Sequence, residues 1–316
     1  MEFKKICDQI SQTLVLFFTF LILASCEESG FKSEKTFIGN QVVSAKTLNL
    51  GRQVYIEYCM GCHGLSGEGN GPASKGSNPP PRNLTQGLYK FGLVKDGGLP
   101  TDEDFKRIIQ KGLHGTGMLA WDISDEQTLA VTHYLKTFAP QVWESKDQQK
   151  GIPISLVSDP FGLARKTFAI ERGREVYHLV ANCQSCHRAY VTQEELNTIS
   201  MKVNNTPASE FDPTMYDLKI QESEYYLYQY KDRKAKYLPP DFPWHQMRSA
   251  LNEKELAERL CAGVTGSGMP AWCGVVSDED VWALAYYVKN ISEIKGNIKK
   301  RQEFMSKFAV PETSGK

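Results

Sequence analysis

The sequence predicts two helical domains that repeat one plan. Its 316 residues are enough for about two domains. Residues 51–55 read GRQVY and residues 173–177 read GREVY, so a motif recurs in the two halves. N-cap residue types followed by acidic first turns predict two matching helix starts in each half, at Thr101, Ser124, Asn252 and Ser277.

Composition places the chain among ordinary globular proteins. Hydrophobic residues make up 41% and charged residues 23% of the sequence. The 37 Lys and Arg residues balance the 37 Asp and Glu residues. A neutral chain without a large basic patch is a poor candidate for binding nucleic acid. Eight cysteines are too few for a small disulfide scaffold in a chain of this length, so each must be considered by its position.

The N-terminus predicts export. Lys4 and Lys5 precede an apolar run over residues 13–24, which is shorter than the ~20 residues that span a bilayer. A buried core helix is the alternative, but position and length favour a signal peptide over residues 1–25. The run ends in Leu-Ala-Ser before Cys26 and resembles a bacterial lipobox, although a cysteine could stand there by chance. The resemblance implies a lipid on Cys26 and a protein anchored at the periplasmic side of a bacterial membrane.

Two motifs of the form C-x-x-C-H predict two covalently bound haem c groups. They comprise Cys59, Cys62 and His63 in the first half and Cys183, Cys186 and His187 in the second. Two thiols at this spacing can bond the vinyl groups of one haem, and the adjacent histidine can reach its iron. A redox dithiol or half of a zinc site are the alternatives. Neither explains a histidine directly after each cysteine pair.

With these motifs, the chain resembles a tandem of class I cytochrome c domains, a dihaem c-type cytochrome. The resemblance covers about residues 46–140 and 168–292 and implies an all-α fold. It also implies that the first and last helices of each domain cross near a glycine and an aromatic residue. Gly51 with Tyr55, and Gly173 with Tyr177, fit these positions. A missing side chain lets two helix backbones approach, although a glycine near a helix start explains the pattern equally well.

Repeated glycine-rich loops supply the predicted second iron ligands. Residues 115–121 read GTGMLAW and residues 266–272 read GSGMPAW, which places Met118 and Met269 three residues before a tryptophan. A thioether opposite a histidine raises the reduction potential. An isolated methionine more often fills a core, but both halves place this one between the same two predicted helices. His114 is the rival ligand for the first iron, and the candidates that do not recur are Met201, Met215, Met247 and His245.

The resemblance implies further residues around each haem. The carbonyl of Pro72 is expected to accept a hydrogen bond from the ring of His63. The second half has no Gly-Pro near its motif, and Pro207 is a weak substitute. Arg82 is expected to pair with a haem propionate, with an ordinary surface arginine as the alternative. Trp121 and Trp272 are expected beside the two haems.

Cysteine accounting leaves Cys261 and Cys273, which flank Met269. In an oxidising compartment they are expected to form a disulfide that restrains the methionine loop, with two buried thiols as the alternative.

The expected organisation has six parts. A signal peptide (1–25) and an N-terminal tether (26–45) precede the first domain (46–140). An extended linker (141–167) joins it to the second domain (168–292), which carries a tyrosine-rich insertion at about 200–245. We expect this insertion to cover the second haem or to form a docking surface, and packing within its own domain is the alternative. A basic tail (293–316) ends the chain.

These features predict an electron-transfer protein rather than an enzyme. It would relay electrons between redox proteins of a respiratory chain, as a free carrier or as a subunit of a larger oxidoreductase, and would take no small-molecule substrate. The alternative is a dihaem cytochrome c peroxidase, also built on two C-x-x-C-H motifs. Peroxide chemistry needs an iron position that can open, and matching methionine loops in both halves argue against it.

Overall fold

The computed structural model describes residues 30–209, 213–218, 220–227 and 230–308. The predicted signal peptide and Cys26 lie outside the described residues. Among the residues that are described, no helix is both long and apolar enough to cross a membrane. This described part of the chain is mainly helical and contains two small antiparallel sheets of two strands each.

The N-terminal half contains five helices and a hairpin among its described residues. The hairpin pairs β1 (Lys35–Phe37) with β2 (Gln41–Val43). The helices are α1 (Ala45–Val54), α2 (Met60–His63), α3 (Asp102–Lys111), α4 (Asp125–Lys136) and α5 (Pro140–Trp143). A π-helical turn, Tyr55–Cys59, joins α1 to α2, and three 3₁₀ turns lie at Pro72–Ser74, Leu84–Gln86 and Lys95–Gly97.

The C-terminal half follows the same order and adds elements to it. Its helices are α6 (Lys166–Glu175), α7 (Gln193–Asn204), α8 (Glu253–Ala262), α9 (Asp278–Ser292) and α10 (Ile298–Ser306). Its strands are β3 (Gln221–Leu227) and β4 (Tyr230–Tyr237). A π-helical turn, Val176–Val180, follows α6, and 3₁₀ turns lie at Cys183–Ser185, Pro213–Tyr216 and Glu293–Gly296.

The four helix starts predicted from capping residues are confirmed. The side chains of Thr101 and Ser124 accept hydrogen bonds from backbone N–H groups in the first turns of α3 and α4. Asn252 and Ser277 do the same for α8 and α9. Each cap satisfies a donor that has no partner within its helix, and the acidic first turn complements the helix dipole.

The first and last long helices of each half cross at a glycine. A Cβ atom added to Gly51 of α1 would stand 2.6 Å from the carbonyl carbon of Ala130 in α4. A Cβ atom added to Gly173 of α6 would stand 2.6 Å from the carbonyl carbon of Ala283 in α9. Real Cβ atoms do not approach so closely, so the predicted crossing requires glycine at both positions.

Two hydrophobic cores form around these crossings. Leu48, Tyr55 and Val131 are fully buried in the first core. Val176, Tyr177 and Leu284 are fully buried in the second. The core residues come mostly from the crossing helices, so the crossings set the frame on which the cysteine motifs are placed.

Three parts of the predicted organisation differ in the structure. Residues 35–43 of the predicted tether form the first hairpin, which buries Phe37 in the first core. The predicted linker begins with α5, which buries Trp143 in the same core. The predicted tail contains α10. Phe304, in the last turn of this helix, packs against Tyr190 with a ring centroid distance of 6.1 Å. Aromatic side chains in these segments have apolar surface to bury, which the charge pattern alone does not reveal.

Residues 151–160 of the predicted linker form no helix and are hydrogen-bonded to both halves. The N–H of Gly151 donates to the carbonyl of Leu99 in the first half (3.2 Å). The Trp282 indole N–H donates to the Val157 carbonyl (3.0 Å) and the Tyr286 hydroxyl donates to Asp159 (2.6 Å), both in the second half. The linker is therefore a strap with hydrogen bonds on each side.

Arg259 of α8 also joins the two halves. Its guanidinium donates to the carbonyls of Phe91 (2.9 Å) and Gly92 (3.0 Å) in the first half. It also donates to the carbonyl of Gly263 (3.0 Å), at the end of its own helix. Burial lowers the pKa of Arg259 to about 10, so the guanidinium remains charged at neutral pH.

Candidate haem sites

The first C-x-x-C-H motif is displayed by a π-helical turn and a short helix. Cys59 ends the turn, while Cys62 and His63 lie on α2. The ring N–H of His63 at Nδ1 donates to the carbonyl of Arg82 (3.0 Å). Burial lowers the pKa of His63, which favours the neutral ring. A neutral imidazole that donates from Nδ1 keeps a lone pair on Nε2, as an iron ligand requires.

The prediction that the carbonyl of Pro72 accepts a hydrogen bond from this histidine was wrong. The N–H of Gly71 donates to the carbonyl of Cys62 (3.1 Å), so the loop after the motif folds back onto α2. Pro72 then begins a 3₁₀ turn, and the carbonyl that meets His63 belongs to Arg82. The segment around Arg82 is held there because the N–H of Leu84 donates to the carbonyl of Gly67 (2.7 Å).

The second motif has the same donor arrangement. Cys183 begins a 3₁₀ turn that leads to Cys186 and His187. The Nδ1–H of His187 donates to the carbonyl of Pro240 (3.3 Å), so Pro207, the substitute considered from the sequence, is not its partner. Burial lowers the pKa of His187 to about 4 and keeps the ring neutral. The ring of Phe242 stacks on the imidazole at a centroid distance of 5.1 Å.

A buried tyrosine supports each motif from the crossing helix. The hydroxyl of Tyr55 donates to the carbonyl of Gly64 (2.6 Å), and that of Tyr177 donates to the carbonyl of Arg188 (2.8 Å). Each acceptor directly follows the motif histidine. Burial raises the pKa of both tyrosines, so the hydroxyl proton needed for these bonds is retained. The aromatic residue predicted at each crossing therefore holds the end of the cysteine motif.

The two methionine loops share one backbone geometry. The carbonyl of Met118 accepts from the N–H of Leu113 (2.9 Å), and the carbonyl of Met269 accepts from the N–H of Val264 (3.1 Å). Each loop is further closed by a hydroxyl, from Thr116 or Ser267, that donates to a backbone carbonyl. The sequence repeat is thus a repeat of conformation.

Tryptophan anchors the far end of each loop. The N–H of Trp121 donates to the carbonyl of Ile109 (3.1 Å), and the N–H of Trp272 donates to the carbonyl of Leu260 (3.0 Å). Trp121 and Trp272 are half-buried against the first and second cores respectively. Their position beside a haem stays a prediction, as do Met118 and Met269 as iron ligands. His114 donates its backbone N–H to the carbonyl of Arg248 (3.0 Å), and its rival role as a ligand also stays open.

The second methionine loop has two restraints beyond those of the first. The expected disulfide between Cys261 and Cys273 is present, and it joins α8 to the chain just past the loop. The hydroxyl of Tyr237 accepts a hydrogen bond from the N–H of Gly268 (2.6 Å). Tyr237 ends β4, so the predicted insertion contributes at least one residue that covers the loop carrying Met269.

The donor sets fit haem c at both motifs. In each, two thiols and a histidine lie within five consecutive residues, and the histidine is held as a neutral ring with its Nε2 lone pair available. Arg82, expected to pair with a propionate, lies near Lys90, which also lies near Arg248. Burial first, and then the charges of Arg82 and Arg248, lower the pKa of Lys90 to about 8. A group of positive charge near the first motif suits an anionic propionate, and this pairing stays a prediction.

The carbonyls that accept from the two histidines were missed by the sequence interpretation. Both stand at the end of a proline run: Arg82 follows Pro79-Pro80-Pro81, and Pro240 ends Pro239-Pro240. Proline favours extended backbone and has no N–H, so such a run presents carbonyls without forming a helix. This repeated run was the available signal.

Comparison with known proteins identifies the first half. The family model of cytochrome c matches residues 48–139. Residues 48–139 are a cytochrome c domain. The family implies covalently bound haem c, and the C-x-x-C-H motif within these residues is the one that begins at Cys59.

A solved structure is similar over a much longer part of the chain. It is described as the Kuenenia stuttgartiensis reducing HAO-like protein complex Kustc0457/Kustc0458. One chain of that complex is 27% identical, with a TM-score of 0.57, and the match covers 77% of this chain and 95% of the other. No curated protein matches the sequence. The cytochrome c domain and this likeness support a c-type cytochrome in electron transfer.

Proposed function

We propose that the protein is a dihaem c-type cytochrome that carries electrons and is the electron-transfer subunit of a larger redox complex. The observation that carries the proposal is the recurrence of one geometry around both C-x-x-C-H motifs. A crossing glycine, a tyrosine bonded to the carbonyl after the histidine and a closed methionine loop occur in each half. Residues 168–292 would then be a second cytochrome c domain.

In this proposal each haem supplies a one-electron couple, and the chain sets its surroundings. Cys59 and Cys62 hold the first haem, and Cys183 and Cys186 hold the second. His63 and His187 are the proximal ligands, each oriented by a backbone carbonyl. With Met118 and Met269 as the second ligands, neither iron would have a vacant position for a small substrate, which would favour electron transfer over catalysis.

Two features support assembly with other redox proteins. The similar solved structure is a chain of a protein complex, and it is matched over 95% of its length. The lipobox resemblance adds a tether, since acyl chains on Cys26 would hold the protein at the periplasmic side of a bacterial membrane. A membrane-anchored subunit that passes electrons between respiratory partners would combine these features.

Haem number and ligation provide the direct test. Mass spectrometry and the pyridine haemochrome spectrum of the purified protein should report two covalently attached haems. Both should be low-spin, and the reduced protein should bind carbon monoxide poorly. Met118→Ala and Met269→Ala should each open one iron to carbon monoxide and lower the potential of that haem. Met201→Ala is the matched control, because this exposed methionine lies on α7, outside both loops.

Several outcomes would contradict the proposal. A single attached haem would contradict the assignment of residues 168–292 as a second cytochrome c domain. One high-spin haem with rapid peroxide turnover in the half-reduced protein would instead favour a peroxidase. A bis-histidine spectrum at the first haem would replace Met118 by His114. For the tether, Cys26→Ser should release the protein from membranes, and a variant that still sediments with salt-washed membranes would exclude the lipid.

A further inference from the structure

A buried charged cluster lies next to His187 and consists of Arg188, Tyr190 and Asp241. Asp241 is only 2% exposed, and its two carboxylate oxygens have separate partners. Arg188 forms an ion pair with Oδ2 (3.0 Å), and the hydroxyl of Tyr190 donates to Oδ1 (2.8 Å). A buried carboxylate persists as a charge only when it is paired and hydrogen-bonded in this way.

This cluster holds the segment that orients the histidine. Residues 240–242 touch His187 twice, through the carbonyl of Pro240 (3.3 Å) and the stacked ring of Phe242 (5.1 Å). The N–H of Phe242 donates to the hydroxyl of Tyr190 (3.0 Å). One tyrosine hydroxyl therefore ties both Asp241 and Phe242 in place.

The cluster also closes back onto the motif. Arg188 is the residue directly after His187, and it pairs with the residue directly after Pro240. The histidine and its acceptor are thus linked twice, once by their own hydrogen bond and once by the ion pair of their neighbours. In the first half Gly64 follows the histidine and Asn83 follows Arg82, so the sequence cannot form this ion pair there.

We propose that Asp241, Arg188 and Tyr190 are positioning residues for His187. We also propose that the two opposite charges of the Asp241–Arg188 pair tune the reduction potential of the second haem. The proposal rests on the proposed second haem. Ferric haem carries one more positive charge than ferrous haem. A nearby carboxylate therefore favours the ferric form and a guanidinium favours the ferrous form, with little screening in a buried site. Together the two charges largely cancel, and removing either one exposes the other.

Opposite shifts from two variants test the proposal. Asp241→Asn should raise the reduction potential of the second haem, because the positive charge of Arg188 is no longer balanced. Arg188→Met should lower that potential, because the carboxylate is no longer balanced. Arg188→Lys keeps the charge and should restore a potential close to that of the unmutated protein. Tyr190→Phe keeps both charges, so it should shift the potential less while altering the low-spin electron paramagnetic resonance signal that reports ring orientation.

The measurement is a redox titration of the full protein followed by visible spectroscopy. A Cys183→Ser variant leaves one vinyl group of the second haem unreacted, which shifts its absorption band and assigns its potential. The potential of the first haem is the internal control. Asp280→Asn is the matched variant, since it removes another buried carboxylate of the second half that pairs with an arginine, Arg172 (2.7 Å).

The outcomes separate this inference from the proposed function. Two haems in the unmutated protein, with shifts of the same sign or no shifts, would overturn the positioning and charge roles and leave the second haem standing. One haem in the unmutated protein would overturn both. If Asp241→Asn fails to retain its haem, the comparison of Arg188→Met with Arg188→Lys decides the matter, because only the methionine variant should lower the potential.

Discussion

The helix crossing at Gly173 leaves no room for a side chain. Alanine there would place its Cβ atom 2.6 Å from the carbonyl carbon of Ala283 and 2.6 Å from the Cβ atom of Tyr287. Overpacking of this kind costs about 1–3 kcal/mol, and the upper end applies because the obstacle includes backbone. Alanine recovers about 1 kcal/mol of helix propensity. The net loss in unfolding free energy is about 2 kcal/mol, which corresponds to a melting temperature lower by about 4–8 °C.

Thermal unfolding of the Gly173→Ala variant, followed by circular dichroism, measures this effect. Gly296→Ala is the control, because no atom lies within 4 Å of the Cβ position there. Gly51→Ala should behave like Gly173→Ala, since its Cβ atom would meet Ala130 at the same distance. If Gly173→Ala and Gly296→Ala unfolded at the same temperature, the close crossing and the steric argument would both be refuted.

Three other variants or conditions have defined outcomes. Thiol labelling of the unfolded, unreduced protein should leave Cys261 and Cys273 unmodified, and replacing both by serine should cost on the order of 3 kcal/mol; two labelled cysteines would exclude the bridge. Burial lowers the folded-state pKa of His178 from 6.5 to about 4. The contribution of this neutral ring to the free energy of unfolding is therefore complete above pH 6.5, and it decreases by up to about 3 kcal/mol as the pH falls towards 4. Denaturant titrations across this range should show a flatter pH dependence for His178→Gln, and identical curves would contradict the assignment. Tyr237→Phe removes the acceptor for the N–H of Gly268 and should increase the rate of carbon monoxide binding at the second haem of the reduced protein. An unchanged rate would show that the loop carrying Met269 is held without this hydrogen bond.

Local chemistry explains what the sequence could predict. The motif that begins at Cys59, the capped start of α3 at Thr101 and the loop around Met118 each depend on residues close together in the chain. The repeat then extended these assignments to the second half. The disulfide followed from elimination, because only Cys261 and Cys273 had no other role.

The parts that sequence reasoning missed depend on distant backbone or on very short elements. Arg82 and Pro240 meet the histidines through carbonyl oxygens, 19 and 53 residues away, and every residue has such an oxygen. The strands of the first hairpin have three residues each, too few for a reliable alternation pattern. Its turn, with positive φ at Gly39 and Asn40, is the local signal that could have indicated it.

The strap between the halves determines how a protease would meet this protein. Connections between domains are usually the first sites of cleavage, because an exposed, mobile backbone can enter a protease cleft. Here the connection is hydrogen-bonded to one half at Gly151 and to the other at Val157 and Asp159. Cleavage would first require these bonds to open, and the two products would still be held together by Arg259. Limited proteolysis is therefore expected to yield a nicked but undivided particle rather than two separable cytochrome fragments.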